Sequence, residues 1–585
     1  MAIDKKYTWA IEDIYATLDA WEEDYKKVSS QLDFDEFKGK LGEKEGFKQC
    51  MSKLETVSRV FEKLSVYAMM LFDSDTRNSS YDALHSRVSA LGVKYSAATA
   101  FITPELTALP DSVIEGYLLD KELADYDYSL KLLLKKKEHI LSAAEEKLLA
   151  ESGEALSSFR DIFTKIDNAD LPLGTVTHNG EKMEITHGTY GLYMQSPDRA
   201  LRKKVFKKYY SAYSGLINSI SATYYGSVKK DVFYAKARKY DSALACALAG
   251  EDVNEKVYHN LISTTNKALP ILHDYIAQKK KELKLKSMHM YDMYVPTVTG
   301  ADLKLEYEKA YDTVLEGLNC LGDEYIALLK KARDERWIDV FESKGKRSGA
   351  YSVCVYDTHP YVLLNYTKTT HDVFTIAHEM GHSLHSYYSN KNQPYDKADY
   401  KIFVAEVAST VNEVLLIKHL LSKAKDKKLK KYLLSYLLEM IRTTLFRQTQ
   451  FAEFEEYSHS AVERGEPLTK DGMSEAYLAL NKKYYGKAIV HDEDIAIEWA
   501  RIPHFYRAFY VYKYATGIIS ALAITDRILT EGKAAVDDYF KFLSSGGSDS
   551  PVELLKIAGV NLEEEKPFKM AFKVFQDALG EFKKL

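Results

Sequence analysis

Cysteine and proline are scarce in this chain of 585 residues, which contains four cysteines and 12 prolines. The cysteines lie far apart and form neither a CxxC pair nor a zinc-ribbon spacing, so we interpret them as reduced thiols. They are Cys50, Cys246, Cys320 and Cys354. Apolar runs are short as well: the N-terminus has no apolar signal core, and no later stretch approaches the ~18 uncharged apolar residues of a membrane span. These absences predict a cytoplasmic protein without a membrane partner.

An excess of charge of one sign is also missing. The 80 basic and 85 acidic side chains give a formal net charge of −5. A chain this balanced has no overall field that would attract nucleic acid or anionic lipid. Its lysine-rich segments, at 131–139 and 427–441, alternate with leucine at helical spacing, which is typical of solvated helix faces. We therefore expect no nucleic-acid partner and look for partners at individual sites.

Helical periodicity dominates what remains. With only 28 glycines and 12 prolines to interrupt it, the chain shows long windows in which apolar residues recur every three or four positions. One interruption falls near 172–190, where alternating residues flank Asn179-Gly180, a dipeptide that readily adopts positive φ in a two-residue turn. The pattern predicts a mainly α fold with a small β-hairpin at that point.

A helix start follows the hairpin. We expect Ser196 to cap this helix, with Pro197 at its first position and Asp198 in its first turn. We place a domain boundary here, between an N-terminal helical lobe at 1–199 and a catalytic region at 200–585.

A second interruption runs from about 288 to 367 and is rich in tyrosine and valine, with glycine and proline at its edges. It predicts short strands. Because these strands lead directly into the next helix, we expect a small β-sheet beside that helix.

That helix carries His378-Glu379-Met380-Gly381-His382, which matches H-E-x-x-H. We expect Thr369 and Asp372 to cap it, and apolar neighbours indicate that it is buried. Four residues turn a helix by about 400°, so the two imidazoles share a face roughly 6 Å apart and can bind one metal ion. Glu379 projects about 100° away from His378, beside the metal, where a carboxylate can act as a base toward water.

A catalytic zinc site needs a third protein ligand, and two residues compete for this role. His385 lies on the same face as His378 but about 4.5 Å further along an unbroken helix than His382, so we expect it to lie behind the ligands or in the core. Glu406 lies in a second apolar helical segment, where an isolated carboxylate would be unfavourable, and is the better candidate. Glu413 returns to the face of Glu406 and is placed to accept an N–H from a ligand imidazole, with an ordinary structural role as the alternative.

These motifs resemble the thimet oligopeptidase and oligoendopeptidase F family, and oligoendopeptidase F is the closer match. The resemblance begins with HEMGHSLH at 378–385 and FVAEVASTVNE at 403–413. It extends over nearly the whole chain through GKRSGAYS at 345–352, IPHFYRAFYVYKYATG at 502–517 and FLSSGGSDSPVELLKIAGV at 542–560. The family implies that the two motif histidines and the later glutamate bind one zinc ion per chain, although such a ligand set also accepts cobalt or manganese.

The family also implies a two-lobed, helix-rich, zincin-like metallopeptidase with a deep central channel that admits oligopeptides and excludes folded proteins. A histidine and tyrosines from the 502–517 segment would close over the scissile bond and stabilise the oxyanion. Our candidates are His504 and Tyr514, followed by Tyr506 and Tyr510, with aromatic core packing as the alternative for each tyrosine.

The peptide backbone needs a binding edge of its own. We expect the segment of Gly349, Ala350 and Tyr351 to bind the peptide backbone. The small side chains at its start would let a peptide approach closely and add as a strand to an exposed sheet edge.

We therefore expect a zinc-dependent oligoendopeptidase with Glu379 as general base. The alternatives are a helical metallocarboxypeptidase, which would release single C-terminal residues, and a catalytically inactive peptide-binding protein.

Overall fold

The computed structural model describes residues 4–585, apart from the side chain of Ala143, and 72% of the chain is helical. The helix-rich fold class is confirmed. The helices of the first half are α1 (Leu18–Gln31), α2 (Lys44–Ser74), α3 (Ser79–Thr99), α4 (Ile102–Ala108), α5 (Asp111–Leu118), α6 (Asp127–Lys137), α7 (Ala143–Lys165), α8 (His187–Met194), α9 (Arg199–Gly215), α10 (Ile217–Ala237), α11 (Ala243–Ala249) and α12 (Glu255–Glu282).

The helices of the second half are α13 (Tyr307–Leu318), α14 (Asp323–Asp334), α15 (Thr370–Asn392), α16 (Tyr395–Ala398), α17 (Ile402–Lys423), α18 (Lys427–Ile441), α19 (Arg447–Glu463), α20 (Lys470–Tyr485), α21 (Tyr512–Glu531), α22 (Lys533–Leu543), α23 (Pro551–Ile557) and α24 (Lys566–Lys584). The strands are β1 (Thr175–His178), β2 (Glu181–Glu184), β3 (Met288–His289), β4 (Ile338–Asp339), β5 (Tyr351–Val353), β6 (Tyr361–Leu363) and β7 (Ile489–Val490).

The predicted hairpin is confirmed. Strands β1 and β2 pair antiparallel from Thr175 opposite Glu184 to His178 opposite Glu181. Asn179 and Gly180 form the turn with φ of 51° and 85°, and positive φ at both central residues matches the twist of the flanking strands.

The expected cap of the next helix was wrong by two residues. The Asp198 side chain, and not that of Ser196, accepts the N–H groups of Ala200 and Leu201 at the start of α9. Ser196 instead accepts the N–H of Asp198, one step before the helix. A carboxylate that accepts two of the free N–H groups begins a helix more effectively than a hydroxyl further upstream.

The chain divides into two compact units, each built from three separate segments. Unit 1 contains the chain up to Ile140, Leu303–Ser422 and Ile524–Val560. Unit 2 contains Leu141–Asp302, Lys423–Ala523 and Asn561–Leu585. The boundary near residue 200 falls inside the first segment of unit 2, and the division at that point stays a prediction.

In unit 1, the N-terminal helices and a short sheet share one core. Trp21 of α1 and Leu64 of α2 are fully buried in a cluster that also includes Tyr361 and Leu363 of β6. Strand β6 is central in this sheet and pairs parallel with β4 and antiparallel with β5. Strand β5 is therefore an edge strand, and the chain runs from β6 into α15. The small sheet expected beside that helix is confirmed.

Unit 2 contains a buried charge network. The Glu498 carboxylate, fully shielded from solvent, accepts hydrogen bonds from Arg447 at 2.7 Å, Arg501 at 3.2 Å and the Tyr477 hydroxyl at 2.7 Å. Burial raises the energy of the charged carboxylate, but the two guanidinium groups outweigh it and lower the pKa of Glu498 to about 2. Because an unpaired charge there would be strongly destabilising, this network fixes α19 and α20 against the segment that holds Glu498.

None of the helices in the described part of the chain combines the length and the apolarity needed to cross a bilayer.

Candidate metal centre

Helix α15 begins as its sequence predicts. The Thr369 hydroxyl accepts the N–H of Asp372 at 3.2 Å, and the Asp372 carboxylate accepts the N–H of Thr369 at 2.9 Å, which completes a capping box. The helix continues unbroken through the histidine motif, so His378 and His382 lie one turn apart. Their Nε2 atoms are 3.2 Å from each other.

Gly381 lets a second helix approach this turn closely. A Cβ atom at Gly381 would lie 2.5 Å from Ser409 Cα and 2.7 Å from the Ala408 carbonyl oxygen, both on the backbone of α17. No side chain larger than hydrogen fits that crossing. The contact brings Glu406, one turn before the crossing on α17, to the two histidines.

The three side chains form a triangle of ligand atoms. Glu406 Oε2 is 3.4 Å from His378 Nε2 and 3.6 Å from His382 Nε2, and all three atoms lie within 4.8 Å of one another. Zinc bonds of 2.0–2.1 Å at tetrahedral angles place ligand atoms about 3.3 Å apart. Two nitrogens and a carboxylate oxygen at this spacing fit a zinc ion.

Glu413 orients one of the imidazoles. Its carboxylate binds Nδ1 of His378, which leaves the lone pair of Nε2 directed at the triangle. Asn412 beside it is fully buried, donates to the Ala377 carbonyl at 3.0 Å and accepts the Tyr325 hydroxyl at 3.0 Å. Asn412 thereby ties α17 to the α15 turn that precedes His378.

The charges at the triangle stabilise one another. Burial disfavours the ionised form of Glu406, but its hydrogen bonds to His378 and His382 outweigh burial and hold its pKa far below the ordinary value. Burial likewise disfavours a charged His378, but Glu406 and Glu413 raise its pKa well above the ordinary value. The two carboxylates therefore favour positive charge at the triangle, which a bound cation would supply.

Glu379 lies beside the triangle with one oxygen unsatisfied. Its side chain is 6% exposed, and Oε2 has no hydrogen-bond partner among the described residues. Burial raises its pKa above the ordinary value. A carboxylate in this state is ready to accept a proton from a water molecule.

His385 lies in the core and does not join the ligands. It is fully buried, its ring stacks on Tyr400 at 3.8 Å between centroids, and Phe542 packs against it at 5.2 Å. Burial lowers its pKa to about 3, so the imidazole is neutral. The sequence analysis left two environments open for His385, behind the metal ligands or in the core, and the structure places it in the core.

The predicted backbone-binding segment lies at the sheet edge. Tyr351 starts the edge strand β5, and its hydroxyl donates to Asp73 at 2.9 Å. Gly349 has a φ of 89°, a conformation that favours glycine, and its carbonyl accepts the Asn365 side-chain amide at 2.8 Å. Within the described sheets β5 pairs only with β6, so one edge is available to an added strand.

The remaining candidates belong to unit 2, where three of the four come together. The Tyr514 hydroxyl lies 3.4 Å from His504 Nε2, and the Tyr510 ring stacks on His504 at 5.9 Å. Tyr506 is separated from them: it is 5% exposed and stacks on Phe163 at 4.3 Å. The core-packing alternative thus describes Tyr506.

Two residues that shape the site escaped the sequence reasoning. Gly381 stood at a variable position of the motif, and Asn412 stood unassigned beside Glu413. The sequence contains an indirect signal for both residues. A glycine on an apolar helix face is typical of a close helix contact, and a buried amide is typical of a polar bridge between helices.

The chain is similar to known peptidases over its full length. The model for peptidase family M3 matches residues 192–574, and the model for oligopeptidase F matches residues 105–172. The chain is 42% identical to oligopeptidase PepF of Bacillus subtilis, covering 99% of this chain and 87% of that protein. It is 40% identical to an oligoendopeptidase F homolog of Lactococcus lactis, covering 100% of this chain and 98% of that protein.

Solved structures show the same similarity. A peptidase from Chlamydophila abortus superimposes with a TM-score of 0.94 at 37% identity, covering 100% of this chain and 98% of that one. Oligoendopeptidase F from Enterococcus faecium superimposes with a TM-score of 0.74 at 35% identity, covering 96% of this chain and 98% of that one.

Proposed function

Because the chain belongs to peptidase family M3 and is a metalloendopeptidase, we propose that it is a zinc-dependent oligoendopeptidase that hydrolyses internal bonds of short peptides. The observation that carries the proposal is the triangle of His378 Nε2, His382 Nε2 and Glu406 Oε2, whose sides of 3.2, 3.4 and 3.6 Å suit one zinc ion. Zinc in that position would supply Lewis-acid chemistry, which lowers the pKa of water and polarises a carbonyl group.

The chain's own side chains perform the proton transfers. Glu379, buried and with a free Oε2, accepts a proton from the attacking water and passes it to the leaving amine. Glu413 keeps His378 in the tautomer that leaves Nε2 free to act as a ligand. Removal of Glu379 Oε2 should therefore abolish proton transfer while the three ligands remain in place.

In this proposal two further sets of residues act on the substrate. One set binds the peptide backbone, and the other stabilises the oxyanion of the scissile bond. The backbone of Gly349 and Ala350 and the free edge of β5, which begins at Tyr351, hydrogen-bond the peptide backbone as an added strand. His504 and Tyr514, with Tyr510 beside them, donate to the oxyanion as it forms.

The general-base role is tested by Glu379→Gln. We expect this variant to bind zinc as the unaltered protein does and to lose peptide hydrolysis by at least about a hundredfold, the typical contribution of a general base. Glu115→Gln, at an exposed glutamate of α5, is the matched control and should retain full activity. Full activity in Glu379→Gln would overturn the assignment of the base.

The third ligand is tested by zinc content after dialysis. Glu406→Ala should lose zinc and His385→Ala should keep it. The opposite pattern would transfer the ligand role to His385.

Digestion of a peptide blocked at both ends separates the alternatives. An oligoendopeptidase produces two internal fragments, which mass spectrometry detects, whereas a metallocarboxypeptidase needs a free C-terminus. A zinc-loaded protein that binds the peptide without turnover would be a peptide-binding protein. The cytoplasmic location and the deep channel stay predictions.

A further inference from the structure

A large cavity in unit 1 adjoins the candidate metal centre. Its volume is about 700 Å³, within the usual range of ligand sites. It is bounded by Ser352 and Val353 of β5, by Ser386, one turn beyond His382 on α15, and by Ala405, which precedes Glu406. The proposed peptide-binding strand and both metal-bearing helices thus contribute to its wall.

The lining of the cavity is acidic. Four carboxylates line it and, among the described residues, no lysine, arginine or histidine does. These carboxylates belong to Glu55, Glu62, Asp396 and Asp399. Glu55 pairs with Arg59 at 3.2 Å, and Asp396 accepts the Ser129 hydroxyl at 2.9 Å.

Glu62 and Asp399 have no ion-pair partner in the described part of the chain. Glu62 accepts one backbone N–H, that of Tyr356, at 3.2 Å. Burial, together with the nearby carboxylates of Asp357 and Asp399, raises the pKa of Glu62 to about 7. A cationic group in the cavity would relieve this unbalanced charge.

The walls indicate the form of the cation. Tyr126, Tyr356, Tyr395 and Tyr400 line the cavity, and the rings of Tyr356 and Tyr395 meet edge to face at 5.2 Å. Aromatic faces bind ammonium and guanidinium groups and pack against their aliphatic stems. A bare metal ion fits less well, because among the described residues only the His378, His382 and Glu406 group brings its ligand atoms close enough to hold one.

We infer that this cavity is a specificity subsite for a lysine or arginine side chain of the peptide substrate, an inference that rests on the proposed endopeptidase function. Along a peptide added to β5, side chains alternate between the two faces of the strand. One of them would be directed at the cavity beside the scissile bond. Its charged end would meet Glu62 and Asp399. Its stem would lie on Tyr395 and Tyr400, because the Arg59 guanidinium already lies over the Tyr356 ring at 4.9 Å.

A positional peptide series tests the subsite. In a doubly blocked decapeptide, one lysine is moved through successive positions, and the matched peptides carry leucine or glutamate there. With the zinc-loaded protein, one position should favour lysine over leucine by about tenfold or more in kcat/KM, the size expected for a charge-assisted contact. Arginine should replace lysine at that position, and glutamate should be the poorest residue.

The double variant Glu62→Gln with Asp399→Asn should remove this preference while cleavage of the leucine peptide continues. Glu23→Gln with Glu115→Gln, at exposed glutamates outside the cavity, is the matched control and should retain the preference. An unchanged ratio of lysine to leucine in the double variant would overturn the subsite, as would the absence of any position that favours lysine.

Peptide binding to Glu379→Gln separates the subsite from the proposed activity. Fluorescence anisotropy should show tighter binding of the lysine peptide, and this advantage should disappear when the two cavity substitutions are added. If the unaltered protein cleaves no peptide but this pattern of binding holds, the proposed activity fails and the subsite stands. If cleavage occurs but the lysine and leucine peptides bind with equal affinity, the proposed activity stands and the subsite fails.

Discussion

Replacement of Gly381 by alanine should damage the metal site without touching a ligand. The added methyl group would lie 2.5 Å from Ser409 Cα and 2.7 Å from the Ala408 carbonyl oxygen. Carbon atoms in contact lie about 3.5–4.0 Å apart, so α15 and α17 must separate by about 1 Å. Backbone atoms cannot rotate away as a flexible side chain can, so the backbone of one helix has to shift at the crossing.

Two opposing effects determine how much the substitution changes the free energy of unfolding. Overpacking in a dense interior destabilises a protein by about 1–3 kcal/mol, and the better helix propensity of alanine offsets about 1 kcal/mol of this. We expect a net loss of about 0–2 kcal/mol in the free energy of unfolding. Zinc binding should suffer more, because ligand distances in metal sites hold within about 0.2 Å. Displacement of Glu406 should therefore weaken zinc affinity by at least about tenfold.

Zinc titration by isothermal calorimetry measures this affinity, and urea unfolding of the metal-free protein measures stability. Gly116→Ala is the matched control, since a Cβ at that helical glycine meets no atom within 4 Å. It should leave zinc binding unchanged and stabilise the protein by up to about 1 kcal/mol. If Gly381→Ala bound zinc as tightly as Gly116→Ala, the close helix crossing would not be what positions Glu406.

Three further predictions concern single side chains. Glu413→Gln should weaken zinc affinity by about 10–100-fold, because it replaces the carboxylate that holds His378; calorimetry that detects no change would contradict this role. The His385→Phe variant should keep its zinc, and its stability should fall less in acid than that of the unaltered protein. With a pKa of about 3 in the folded protein against about 6.5 unfolded, His385 costs stability as pH falls below 6.5, by about 1.4 kcal/mol per pH unit down to about 3. The free energy of unfolding, measured with urea, should therefore differ less between pH 7 and pH 5 in the variant than in the unaltered protein. An equal difference would contradict the buried, neutral state of His385. Tyr514→Phe should lower kcat while zinc content is unchanged, whereas Tyr506→Phe should not; equal kcat values for the two variants would remove Tyr514 from the reaction.

Local features were predictable because the signal lies within a few residues. The capping box of Thr369 and Asp372 needs only a hydroxyl and an acid three positions apart. The turn at Asn179-Gly180 needs two residues that tolerate positive φ. The spacing of His378 and His382 on one helix face follows from helix geometry alone. Glu406 needed more, namely the exclusion of His385 and the resemblance to a family.

Features that depend on distant segments were not predictable in this way. The contact of Gly381 with α17 joins residues 28 positions apart, from 381 to 409, and nothing in the local pattern states how closely two helices approach. The acidic cavity gathers Glu62 from α2 with Asp399 from the chain between α16 and α17. Each unit is assembled from three segments that are distant in the sequence, and the local pattern carries no signal for such an assembly. The cap expected at Ser196 was wrong because Asp198, which we expected in the first turn, caps the helix with its own carboxylate.

Zinc dependence of peptide cleavage tests the central claim most directly. The protein is freed of metal with a chelator, zinc is added back in steps, and cleavage of a doubly blocked peptide is followed by mass spectrometry. We predict that the metal-free protein is inactive and that internal cleavage rises until one zinc ion per chain is bound. Glu406→Ala should not regain activity at that zinc concentration. Full cleavage by the metal-free protein, or by Glu406→Ala at one equivalent of zinc, would contradict the account.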